Sequence, residues 1–227
     1  MSMLFTNYRT LILLALLLPG CSSTHISSNN GLEKDNYRKA ILDAAVIESF
    51  EIKSLPVIDE NEVKVVTWTA FPDSYKEGKE ITLGWGDVWV TLEGDVKTRC
   101  QQFQKINLIA DIQKLLGLPL DNTAKRSFVT LKVDSSSMFR PCASPSILSE
   151  QCTADFPENI PQEHAAWYAY QTALSYQGET GYPWTRLGYT YNWKSGENEV
   201  GPAEFVVKKG SKAMAISITD TSSYCTK

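Results

Sequence analysis

The sequence predicts an α+β fold: an antiparallel or mixed sheet of about six strands with about three helices, stapled by disulfides. Three observations lead there. Runs with strand-like alternation, rich in β-branched and aromatic residues, recur at 62–71, 81–92, 127–134, 184–193, 203–208 and 212–219. Helical periodicity is confined to 32–50, 96–116 and 161–176. The order αββαβ followed by αβββ lacks the regular strand–helix alternation of a doubly wound sheet.

Each element has a local reason. In 32–50, Tyr37, Ile41, Ala44, Ala45 and Glu48 recur at helical spacing. The stretches EVKVVTWTAF (62–71) and 81–92 are expected to pair as a long hairpin. Asp95 is a candidate N-cap for 96–116, in which Phe103, Ile106 and Ala110 form one apolar line and Leu108, Ile112, Leu115 and Leu116 widen it. Gly117 and Pro119 end that helix. SFVTLKVD (127–134) is a third strand, and a long cysteine-bearing loop occupies 135–159. Pro161 suits the first turn of the last helix. Lys209-Gly210 supplies a tight turn between the final two strands.

The front of the 227-residue chain is of another kind. Arg9 precedes an apolar run from Leu11 to Leu18, too short to span a bilayer as a helix, which needs about 20 apolar residues. It reads as the apolar region of a secretory signal. The run ends in Leu18-Pro19-Gly20-Cys21, which resembles the lipobox of bacterial lipoproteins. The resemblance implies cleavage before Cys21 and acylation of that cysteine. Several acyl chains hold a protein stably at a membrane where one does not. By resemblance to the enterobacterial sorting pattern, Ser22 after the cysteine implies the outer membrane, and the domain is expected on the periplasmic side. The expected organisation is a signal peptide at 1–20, a lipidated tether at 21–31 and a single periplasmic domain at 32–227. The tether, SSTHISSNNG after Cys21, has a flexible-chain reach of about 20 Å, so the domain works close to its membrane.

Loss of Arg9 with the signal takes the net charge from −4 to −5, which argues against nucleic acid as a partner. Four cysteines remain, and an oxidising compartment turns them into two disulfides. Of the three possible connectivities, the one favoured closes a short loop containing Pro and Ser with Cys142–Cys152 and leaves Cys100–Cys225 to tie the C-terminus to the start of a helix. There is no C-x-x-C pair, and His25 and His164 are the only histidines, so neither a metal nor a cofactor is expected. G-x-S-x-G, H-E-x-x-H, P-loop and dinucleotide-binding motifs are missing from the sequence.

The stretch LGWGDVWVTL (83–92) poses the functional question. Regular alternation points Val88, Val90 and Leu92 to one face and Trp85, Asp87, Trp89 and Thr91 to the other. A bulge at Gly84 or Gly86 would exchange those faces. A carboxylate between two indoles is either a structural acceptor packed under a helix or loop, or part of a groove. In a groove, indole planes stack on sugar rings while the carboxylate takes their hydroxyls, and a buried carboxyl has the raised pKa of a general acid. The second aromatic stretch, YPWTRLGYTYNW (182–193), sets Tyr189, Tyr191 and Trp193 on one face and Arg186 on the other, with Arg186 a candidate partner for Asp87. His164 stands beside Glu163, which on a helix cannot face it. Arg140, beside Pro141 and Cys142, positions the disulfide loop or presents an anion-binding corner.

These residues support one leading expectation: an outer-membrane lipoprotein that binds an envelope protein or glycan, without catalysis, through a groove containing Trp85, Asp87, Trp89 and Arg186. The alternatives are a periplasmic glycan hydrolase using Asp87 as its acid, and a periplasmic inhibitor or immunity protein.

Overall fold

The computed structural model describes residues 24–121, 125–178 and 180–226. Cys21 and the signal lie outside them. The fold is α+β, with an eight-stranded, wholly antiparallel sheet and five helices, more of each than the sequence suggested. The order across the sheet is β2 (Glu80–Thr82), β8 (Lys212–Asp220), β4 (Ser127–Asp134), β1 (Glu62–Thr69), β3 (Val88–Leu92), β7 (Val200–Val207) and β5 (Met138–Phe139), and β6 (Tyr189–Tyr191) also pairs with β7.

The sheet cannot be flat. β7 and β8 stand four places apart, a separation of about 19 Å in a flat sheet. Yet a tight turn joins them, closed by the Ser211 amide donating to the Lys208 carbonyl at 3.1 Å. The sheet therefore curls into an incompletely closed barrel. Its inside is apolar: Val65, Val90, Leu131, Phe205, Val207 and Ala215 belong to one cluster, none of them more than 2% exposed. Full burial of side chains of this size is worth about 1.5–3 kcal/mol each. Lys209-Gly210 makes the expected tight turn, although the two strands it joins are not paired with each other.

The expected 81–92 strand is two strands. β2 pairs with β8, whereas β3 pairs with β1 and β7. The chain crosses between them at 83–87, where Gly84 and Gly86 permit the bend. The 96–116 helix is likewise two, α2 (Asp95–Cys100) and α3 (Leu108–Leu115). Cys100 is bonded to Cys225, Phe103 packs beneath the ammonium of Lys194 at 4.3 Å, and Ile106, expected inside, is 89% exposed. Gly94, at φ 94°, takes the N-cap position, and Asp95 is the first helical residue. Gly117 does end α3, at φ 67°, with the Leu118 amide returning to the Gln113 carbonyl.

These helices and the short α5 (Thr221–Tyr224) cover the outer side of β1 and β4, around Val66, Trp68 and Phe128. The first helix, α1, is Thr24–Ala44; it begins within the stretch expected as a tether and ends six residues earlier than expected. Its Tyr37, Ala40, Ile41 and Ala44 pack on Tyr191 and Trp193. α4 (Gln162–Ser175) follows Pro161 closely as expected. The 184–193 strand shrinks to β6 because Arg186 (φ 58°) and Gly188 (φ 77°) turn the backbone. Its aromatic row is buried rather than presented to solvent.

Both disulfides pair as expected, Cys142–Cys152 and Cys100–Cys225. Their sequence separations, 10 and 125 residues, differ greatly. On loop-closure entropy alone, the long link contributes about 5 kcal/mol and the short one about 3. Serine replacement of both Cys100 and Cys225 is therefore expected to lower the denaturant midpoint more than the same change at Cys142 and Cys152. An equal or smaller loss would show that the C-terminal link constrains little.

Candidate functional site

The outer side of β3 and β7 is not covered as the side of β1 and β4 is. The pairing places Thr91 level with Val66 on β1 and with Glu204 on β7. Two residues along, the same side carries Trp68 on β1 and Trp89 on β3. Over this surface runs a groove of two adjoining cavities, of about 270 and 360 Å3, which share Trp89, Leu116, Leu118, Thr190 and Glu204. The residues following α3 supply one wall. Trp184 and Pro183 close the larger cavity, and Trp85 and Arg126 stand in the smaller.

The floor holds two unmatched polar groups. Thr91 is 5% exposed, and its hydroxyl has no hydrogen-bond partner among the described residues. Glu204, its cross-strand neighbour, makes no side-chain hydrogen bond or ion pair among them either. A little of Glu204 meets solvent through the groove, but protein surrounds the carboxyl on most sides. That burial pushes its pKa from the ordinary 4.5 up to about 8. The shift favours the carboxylic acid form well above the ordinary carboxylate range, and that form donates as well as accepts.

The walls are fixed in place. Trp68 Nε1 donates to Thr221 Oγ1 at 2.9 Å, and the Arg126 guanidinium lies 5.1 Å from the Trp68 ring centroid. Trp89 belongs to an aromatic cluster, 5.8 Å from Trp167 and 6.2 Å from Trp184, centroid to centroid. Trp85 is 53% exposed at the mouth, edge-on to Tyr75.

Three of the four residues singled out from the sequence thus come together. Trp85, Asp87 and Trp89 all line the smaller cavity. Asp87 is nevertheless an acceptor with both oxygens engaged: Oδ2 takes the Trp167 indole N–H at 3.0 Å and Oδ1 the Lys209 backbone amide at 2.8 Å. The register sets it level with residue 208, about 14 Å along the strand from Glu204. Glycosidase carboxyl pairs stand about 5–9.5 Å apart. Arg186 is not in the groove. It ends α1, its Nη2 donating to the carbonyls of Ala45 (2.7 Å) and Ala44 (3.4 Å) while the guanidinium lies against Tyr176. The turned backbone at 186–188 sends it there, away from Asp87.

Other singled-out groups are tied into the framework. His164 is buried, its Nε2 2.8 Å from the Cys142 carbonyl and its ring stacked on Trp167. Arg140 is fully buried and gathers the carbonyls of Pro56, Ile147 and Ser149, holding the disulfide loop. Asp43, Glu51 and Glu199 bring carboxylate oxygens within 4.8 Å of one another, with the Tyr191 hydroxyl donating to Asp43. This is the one cluster of metal-ligating type among the described residues.

The sequence reading did not single out Glu204, and it placed Thr91 on the face of Trp85, Asp87 and Trp89 without giving it a role. Glu204 was visible only as a lone acid inside GPAEFVV, with no neighbouring motif to draw attention to it. The groove exists only once the residues after α3 fold over that face.

No family model matches the chain, and neither a curated protein nor a solved structure matches it.

The Glu204 carboxyl has a direct consequence for stability. Between about pH 4.5 and 8 the folded state keeps a proton that the unfolded chain has released, so stability falls as pH rises through that window. Glu204→Gln cannot ionise. Its melting temperature is expected to match wild type near pH 5 and to exceed it by several degrees at pH 8.5. A difference that stays constant with pH would contradict the buried-acid assignment.

Proposed function

We propose that this protein is a lipid-anchored envelope protein that binds a ligand in the groove over β3 and β7 and does not turn it over. The observation that carries this reading is the floor of the groove. Leaving the buried Thr91 hydroxyl unmatched costs about 1–3 kcal/mol, and a ligand that bonds it, together with the Glu204 carboxyl beside it, recovers that cost. The indoles around them offer apolar area of the kind that anchors ligands. The non-catalytic part rests on the chemistry of the lining. Asp87, the carboxyl expected to act as an acid, is exposed rather than buried and is held by the Trp167 indole and the Lys209 amide, which leaves it without the apolar surroundings that role requires.

The anchoring part rests on the lipobox-like ending at Cys21. No helix among the described residues is long and apolar enough to cross a membrane.

The test is photo-crosslinking in the producing cells from position 85, where the indole is exposed at the groove mouth. A discrete adduct is expected, and it should disappear when Glu204 is also changed to alanine. A folded variant that yields no adduct would overturn the proposal.

A further inference from the structure

Building on the binding role proposed above, we infer that the occupant is an uncharged sugar residue within a glycan chain, its ring face against the groove's indoles and its hydroxyls on Thr91 and Glu204. The arrangement of polar and apolar surface argues for this. The unmatched groups lie together on the floor, as cross-strand neighbours, while Trp68, Trp89, Leu116 and Leu118 stand around them. A matching ligand is apolar on its faces and polar at its edge. A sugar ring has that form, with C–H faces that stack on indoles and hydroxyls that both donate and accept.

Other classes fit less well. A peptide strand gains affinity by pairing with a free sheet edge. Here the groove lies on the face of the sheet, and β3 is paired on both sides, with β1 and with β7. A cation would meet the Arg126 guanidinium, already placed over Trp68 in the smaller cavity. An anion would have to share the groove with the Asp87 carboxylate. The groove is also long for a single ring. Trp85, 53% exposed, lies in one cavity and Tyr182, 49% exposed, in the other, so an aromatic surface reaches solvent at each end. That suits a chain passing through better than a small molecule enclosed.

The experiment uses the lipidated mature protein in detergent micelles, titrated with chitotetraose and with maltotetraose and followed by tryptophan fluorescence. Saturable binding of at least one oligosaccharide is expected. Glu204→Gln, which keeps a donor and an acceptor, should bind within about threefold of wild type. Glu204→Ala and Thr91→Val should each weaken binding about tenfold or more, with melting temperatures confirming that both fold. Co-sedimentation with purified cell-wall sacculi or with lipopolysaccharide then identifies which envelope glycan supplies the sugar. The inference is overturned if neither oligosaccharide nor either envelope glycan binds, or if binding is indifferent to both Glu204→Ala and Thr91→Val. A protein adduct from position 85 together with no sugar binding would overturn the sugar assignment alone. Absence of both would remove the binding role as well.

Discussion

The turn at 208–211 is the constraint on which the rest of the structure depends. It joins two strands that the pairing order keeps apart, and so it forces the sheet to curl. Three independent interactions hold it. The Gly210 amide donates to the Leu83 carbonyl, the Leu83 amide donates to the Ser211 carbonyl, and the Lys209 amide donates to Asp87. Asp87 also receives the Trp167 indole from α4, so one carboxylate ties the crossing before β3, the closing turn and a helix. This accounts for an acid between two tryptophans. It is an acceptor placed where three segments meet, and the indoles on either side serve different surfaces.

Curling has a second effect. It puts the apolar side chains of six strands inside, and it leaves the outer side of β3 and β7 to be covered by whatever follows α3. That cover is partial. Leu116 and Leu118 arch over the surface, held by the α3 ending at Gly117 and by the Trp193 indole, which donates to the Leu118 carbonyl at 3.1 Å. The space beneath buries the Thr91 hydroxyl without giving it a partner and leaves Glu204 only partly open to solvent. A protein that needed only a core would gain by filling this space with apolar side chains. Retaining a carboxyl and a hydroxyl there is intelligible if a ligand completes them.

Much of this architecture was legible in the sequence, for identifiable reasons. EVKVVTWT and SFVTLKVD carry dense β-branched patterns, and both form the strands expected. Pro161 marks the start of α4, and the cysteine spacing led to the right pairing. The failures have one cause in common: tertiary contacts overrode a locally continuous pattern. Residues 96–116 are periodic throughout, yet the bond from Cys100 to Cys225 and the turning-in of Phe103 break the helix. Residues 81–92 alternate throughout, yet β2 and β3 serve opposite parts of the sheet. Arg186 was misplaced because its left-handed backbone, unusual for a residue with a side chain, redirects it to the end of α1. Within the groove, Trp85, Asp87 and Trp89 were legible as an odd pattern, whereas Glu204 was not, because its burial depends on a segment nearly ninety residues earlier in the chain.

The most direct test of the central claim, that the groove over β3 and β7 is a ligand site, is an NMR titration of the six tryptophan indole N–H signals with a neutral oligosaccharide. The account predicts that the signals of Trp85 and Trp89 shift most, saturably, and that Glu204→Ala abolishes the effect. Unmoved indole signals, or shifts that persist unchanged in Glu204→Ala, would contradict it.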